Sequence, residues 1–170
     1  IWQFGNFHTP FNTVRGLHTF GDHFTLINAM TSPIYWFTND VRILLIFQSL
    51  VFAAGVIPLY LIAREYLKNK YLPLIFCFVY LMFPALHYVN LEDYHPEAFI
   101  PFFLLFAFYF ILKKKTWPYL LFLFLTLSCK EEVALTTFML GIYIYFTFDK
   151  KLGIFTSLFS FAWFMIVVNI

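Results

Sequence analysis

Charge is scarce in this chain: only 12% of its 170 residues are Asp, Glu, Lys or Arg, against 62% hydrophobic and 24% aromatic. Water-soluble domains carry roughly a quarter charged residues, so the composition excludes that class. Cysteine is nearly missing too. Cys77 and Cys129 lie within or at the end of apolar runs, without a C-x-x-C pair, and read as small packing residues rather than a redox or metal centre. The lysines fall in short clusters between apolar runs, so a nucleic-acid footprint is missing and nucleic acid is excluded as a partner. The first 40 residues hold no signal-peptide pattern. Internal repeats and low-complexity tracts are absent beyond the Phe, Leu and Tyr bias of the apolar runs. The chain begins at Ile1 and stops inside an apolar run at Ile170, which predicts an internal fragment with further spans upstream.

What remains is a succession of apolar runs. Residues 1–40 are mixed polar and aromatic and read as an extracytoplasmic loop. A short amphipathic helix is expected to start there, with Asp22 as N-cap and Phe24, Leu26, Ile27 and Met30 on its apolar side. It would lie at the membrane surface, with Tyr35 and Trp36 at headgroup level. Residues 41–170 read as membrane. The expected spans are Ile43 to Ala63, Tyr71 to Tyr88, Ala98 to Leu112, Trp117 to Cys129, Val133 to Phe148, and Leu152 onward. The fold class is therefore all-α, a polytopic bundle of about six transmembrane helices, at roughly 20 residues per crossing.

Loop charge sets an orientation. If each run crosses once, one side collects Arg64, Glu65, Lys68, Lys70, Lys113, Lys114, Lys115, Asp149, Lys150 and Lys151, eight basic residues against two acidic. The other collects Arg15, Asp22, Asp40, Arg42, Glu92, Asp93, Glu97, Lys130, Glu131 and Glu132, three basic against seven acidic. The positive-inside rule places the first set in the cytoplasm and the protein in the cell membrane. Only Lys130, Glu131 and Glu132 separate the fourth and fifth runs. One helix from Trp117 to Phe148 would be about 48 Å long and would hold three charges in mid-membrane. A hairpin with these residues at its tip is the favoured reading, although the tip has no Gly or Pro.

The third and fourth runs are short, covering roughly 20 Å of a hydrocarbon core of about 30 Å. With lysines 113–115 anchoring their inner ends, the segment from Asn90 to Glu97 and the tip at 130–132 should be recessed in the outer half of the bilayer. Charges at that depth persist by facing one another or a wet cavity, which predicts an outward-opening polar pocket. Bilayer thinning with lysine snorkelling is the alternative. A desolvated carboxylate is a candidate general base, and Lys, Arg and His suit the charge of a phosphate leaving group. The His and carboxylate mixture also admits a divalent metal, though the separation of His95 and Glu97 is not a zinc-site spacing.

These residues form an ordered series: Gly21-Asp22-His23-Phe24, Pro33-Ile34-Tyr35, Gln48, Pro58 to Arg64, Tyr80-Leu81, Pro84-Ala85-Leu86, Asp93-Tyr94-His95-Pro96-Glu97 and Lys130 to Leu135. In order and spacing, from about Val14 to the end, the series resembles the predicted membrane proteins grouped as domain of unknown function 2079. Two positions depart from the family pattern, Tyr94 where Phe is usual and Glu132 where Asp is frequent, and the family's first span and acidic segment are not in this sequence. That family is remotely similar to the GT-C membrane glycosyltransferases. The resemblance implies transfer of a sugar from a polyprenyl-phosphate donor at the outer face of the membrane. Asp22 and Asp93 are the expected catalytic carboxylates. His23, His95 and Lys130 are expected to bind the donor, with Glu97 and Glu131 holding those cations. The alternative is a carrier or receptor that binds an ion or polar solute in the same pocket. A metal-dependent hydrolase would need His23, His95 and two carboxylates to converge.

Overall fold

The computed structural model describes residues 1–12, 16–21 and 23–169. Helices dominate, and a two-residue antiparallel ladder, β1 (Phe11–Asn12) with β2 (Leu17–His18), is the only sheet among the described residues. The helices are α1 (Trp2–Gly5), α2 (Leu26–Thr31), α3 (Arg42–Ala54), α4 (Val56–Tyr66), α5 (Leu72–Leu81), α6 (Pro84–Glu92), α7 (Ile100–Leu112), α8 (Thr116–Leu127), α9 (Val133–Thr147) and α10 (Lys150–Val168). Short 3-10 turns cover Thr19–Gly21, Ser32–Trp36 and Pro96–Phe99. The chain divides into two compact units, one of Ile1–Asn39 with Phe124–Ile170, the other of Asp40–Leu123.

Helix positions follow the apolar runs closely, but length separates them into classes. Arg42–Tyr66, which joins α3 and α4, and Lys150–Val168 are long and apolar enough to cross a membrane. A third crossing counts if α5 and α6, bent by 41° at their break, form one span. Pro96–Leu112, Thr116–Leu127 and Val133–Thr147 are apolar but shorter. Among the described residues, two helices, or three if the bent pair is one span, are thus long and apolar enough to cross a membrane, where six crossings were expected.

In the unit of Asp40–Leu123, a row of phenylalanines seals α7 against α8, with Phe122 against Phe106 at 4.8 Å and Phe110 at 5.5 Å. Lys113 and Glu65 meet at 2.5 Å, joining the ends of α7 and α4. That ion pair holds the lysine's pKa above its ordinary value. The α7 helix ends with Lys114 in the left-handed region at φ 54°, a position glycine fills most easily. The break between α5 and α6 falls before Pro84, where Phe83 is extended. Proline removes an N–H donor from the helix there. Across the break, His87 bonds the Leu81 carbonyl through its Nε2.

In the other unit, α9 and α10 form the most extensive helix pair. Their seam is lined by Ala134, Thr137 and Gly141 on one side and Gly153, Thr156 and Ser160 on the other, all buried. Small residues let helix backbones approach, which is the means of helix association available where the surroundings are as apolar as the side chains. The seam threonines bond back to their own helices, Thr137 to the Val133 carbonyl at 3.2 Å and Thr156 to the Leu152 carbonyl at 2.9 Å. Asp149 caps α10, accepting the Leu152 N–H at 2.7 Å. One acid of the lysine-rich loops is therefore a helix cap.

Residues 1–39 correct one expectation. The helix predicted from Asp22 begins at Leu26, with Thr25 in the N-cap position, and Asp22 lies outside the described residues. Its first turn is tied elsewhere, because the Ile27 N–H donates to the Ser128 carbonyl at 2.9 Å. Ile27 is buried, whereas Met30 faces outward. Tyr35, expected at headgroup level, is buried, and Trp36 is exposed while its indole N–H donates to the Gly5 carbonyl at 2.7 Å.

Candidate functional site

The chain breaks between α8 and α9 at residues 128–132, the place where three charges interrupt the apolar sequence. Ser128 and Cys129 are fully buried. Ser128 holds the start of α2 through its carbonyl, and its hydroxyl donates to the Leu125 carbonyl at 2.7 Å. This anchoring brings His23 to Glu131: Nδ1 lies 2.8 Å from Oε1. The Glu131 side chain is 21% exposed and that of His23 52%. The second carboxylate oxygen, Oε2, is buried and has no hydrogen-bond partner. Lys130 beside it is only 20% exposed and lies 3.9 Å from Glu132. The tip thus holds a lysine that is four-fifths covered, next to a carboxylate with one unengaged oxygen. Burial of such groups costs free energy unless they are paired or face a polar guest.

The Asp93 segment belongs to the other unit and is built differently. The α6 helix ends at Glu92, and a 3-10 turn starts at Pro96. Asp93 and His95 between them are extended, and Pro96 favours that conformation at His95. Extended backbone leaves its N–H and C=O groups in need of partners. Gln48 on α3 supplies two of them. Its Oε1 accepts the His95 N–H at 2.7 Å, and its Nε2 donates to the Asp93 carbonyl at 3.1 Å. Gln48 is completely buried. Its Nε2 also approaches Asn90 Oδ1 at 3.4 Å, and Asn90 pairs with Ser49 through contacts of 3.1 and 3.2 Å. Phe99, buried against Phe47 and Tyr94, fastens the far side of the segment.

His95 Nδ1 lies 2.6 Å from Asp93 Oδ1. Asp93 is the more open of the two, at 74% exposure against 33%. Glu97 sits within the 3-10 turn Pro96–Phe99. Within this unit the two ends differ in character. The Gln48 network lies 17 residues from Glu65 along the helix Arg42–Tyr66, which is about 25 Å at 1.5 Å per residue. The Lys113–Glu65 pair therefore marks the opposite end from Asp93 and His95.

The predicted residues thus fall into two groups. His23, Lys130 and Glu131 come together in one unit, and Asp93, His95 and Glu97 lie on one segment of the other. Gln48, Ser49 and Asn90 are the residues sequence reasoning did not assign to the site. A lone glutamine within an apolar run was the available signal, since a polar side chain there needs a partner. Among the described residues, no three His, Cys, Asp or Glu side chains converge as metal ligands, so the divalent-metal expectation has no ligand set there.

No curated protein and no solved structure matches the chain. A family model described as predicted membrane protein (DUF2079) matches residues 2–170. The chain therefore belongs to this family of predicted membrane proteins, as the ordered motifs implied.

Proposed function

We propose that this chain is part of a multi-pass cell-membrane glycosyltransferase resembling the GT-C enzymes, which takes a sugar from a polyprenyl-phosphate donor at the outer face. The short apolar helices complete a topology of about six crossings, with the lysine-rich loops in the cytoplasm. The shortfall in their length is met where residues 128–132 and the Asp93 segment lie recessed.

The observation that carries this reading is the His23–Glu131 bond at 2.8 Å beside a four-fifths-buried Lys130. It joins two segments that sequence reasoning assigned to one polar site, with a lysine beside them to meet an anionic headgroup. In this scheme Lys130 and His23 engage the donor phosphate, and Glu131 holds those cations. Asp22 and Asp93 are the acid–base carboxylates. A polar solute carried without turnover is the competing reading.

The test is transfer from a polyprenyl-phosphate-linked sugar by the full-length protein in proteoliposomes. Lys130→Ala and Asp93→Asn should each lower turnover by about a hundredfold, with the folded fraction unchanged by size-exclusion chromatography. Full activity in both variants overturns the assignment. Saturable solute binding with no sugar transfer selects the carrier.

A further inference from the structure

We propose that Asp93 and His95 form a carboxylate–imidazole dyad whose reacting atom is His95 Nε2, and that Gln48 is the positioning residue that holds it. The dyad deepens the transferase reading, on which only the identity of the hydroxyl it serves depends.

The geometry fixes the tautomer. His95 Nδ1 faces two acceptors, both from Asp93: the carboxylate Oδ1 at 2.6 Å and the main-chain carbonyl at 3.3 Å. A neutral imidazole facing two acceptors carries its hydrogen on that nitrogen, which leaves the lone pair on Nε2. Nε2 makes no hydrogen bond among the described residues, and a third of the side chain is exposed. His95 is therefore a base with its accepting nitrogen open. The Asp93 carboxylate stabilises the imidazolium that forms and acts through His95 rather than directly on an acceptor. In the step itself, a substrate hydroxyl gives its proton to Nε2 as its oxygen bonds to the sugar's anomeric carbon. The bond from that carbon to the phosphate oxygen breaks, and the electron pair departs with the lipid phosphate.

Gln48 makes the arrangement permanent. One buried amide bonds the carbonyl of Asp93 and the N–H of His95, so it spans the dyad on the backbone side. The same Asp93 carbonyl is one of the two acceptors that face Nδ1. A change at Gln48 is thus transmitted to the imidazole without touching a substrate. Glutamate at this position retains an acceptor for the His95 N–H and loses the donor to the Asp93 carbonyl.

The test is nitrogen NMR of histidine-labelled full-length protein in lipid nanodiscs, with His95→Gln identifying the His95 resonances. The wild type should show the Nδ1–H tautomer at His95, and Asp93→Ala should move the population to Nε2–H. Gln48→Leu should also redistribute the tautomers; if it fails to fold, Gln48→Glu gives the same reading with volume retained. A predominant Nε2–H tautomer in the wild type overturns the dyad, and an unchanged tautomer in a folded Gln48 variant overturns the positioning role. In the transfer assay, Asp93→Ala should lower kcat by about a hundredfold with little change in KM. The NMR needs no donor, so the dyad present without any transfer overturns the transferase reading alone.

Discussion

Gly141 of α9 lies so close to α10 that a β-carbon added to it would sit 2.5 Å from the Ser157 backbone nitrogen. Gly153 answers it from the other helix, where a β-carbon would meet the Tyr145 Cα at 2.5 Å. Both clashes are with main-chain atoms, which cannot turn aside as a side chain can.

Gly141→Ala should therefore push the two helices apart and destabilise the protein by about 1–3 kcal/mol, the usual range for overpacking. Thermal unfolding in detergent micelles reads the loss. Gly21→Ala is the control, since nothing lies within 4 Å of the added carbon there. A Gly141 variant as stable as the control would show that the seam is loosely packed.

Gly55 makes room for a side chain rather than a helix. The Tyr80 hydroxyl donates to the Phe52 carbonyl at 3.0 Å. A β-carbon on Gly55 would overlap that hydroxyl and lie 2.7 Å from the Tyr80 ring carbon Cζ. Gly55→Ala should displace the ring and forfeit a hydrogen bond worth about 0.5–1.5 kcal/mol. Tyr80→Phe alone should cost a similar amount, but little once Gly55 is Ala. A double-mutant cycle measures this coupling, and strict additivity would refute the shared cause.

Asp40 gives a pH dependence with a defined sign. Hydrogen bonds from Arg42 lower its pKa from 3.8 to about 2. The unfolded chain then binds the proton first as pH falls. The pair's contribution is complete above about pH 4 and disappears as pH drops through about 2. Both side chains are exposed, so the effect is small and salt-sensitive. Unfolding curves of wild type and Asp40→Asn between pH 2 and 5 should differ at the upper end and merge at the lower. Curves that diverge on acidification would contradict the linkage.

Orientation is open to direct labelling. With Cys77 and Cys129 replaced by Ala, single cysteines at Glu92 and Lys114 should react oppositely with a membrane-impermeant maleimide. The cysteine at 92 should label on intact cells, and that at 114 only after permeabilisation. The reverse pattern would invert the topology, and equal labelling would remove the crossing between them.

Much of this fold was legible in the sequence because apolar runs report helices locally. The run from Val133 to Phe148 became α9, Val133–Thr147, and the charges at 130–132 marked a genuine break. Local pattern was silent where distant residues decide the outcome. The expected helix at Asp22 starts at Leu26, and its first-turn N–H at Ile27 is bound to Ser128, about a hundred residues later. The apolar run from Tyr71 to Tyr88 hid a 41° bend, since hydropathy does not register a proline's missing donor. Lys130 and Glu131 were visible as charges without room for a solvated loop, and their side chains are 20% and 21% exposed. Gln48 was visible as an oddity, but its partners at Asn90, Asp93 and His95 stand more than 40 positions away.

The unit that holds His23 is discontinuous in sequence, assembled from the first 39 residues and those from Phe124 onward. During synthesis the segment Ile1–Asn39 emerges before its partners from Phe124 onward. The Ile27–Ser128 and His23–Glu131 contacts form only after the intervening helices have been made and inserted. Closing so long a loop is entropically slow, and until it closes, the buried Lys130 and Glu131 have no finished surroundings. Formation of the His23–Glu131 pair is therefore tied to synthesis through Glu131, and a product truncated before it is left without the pair.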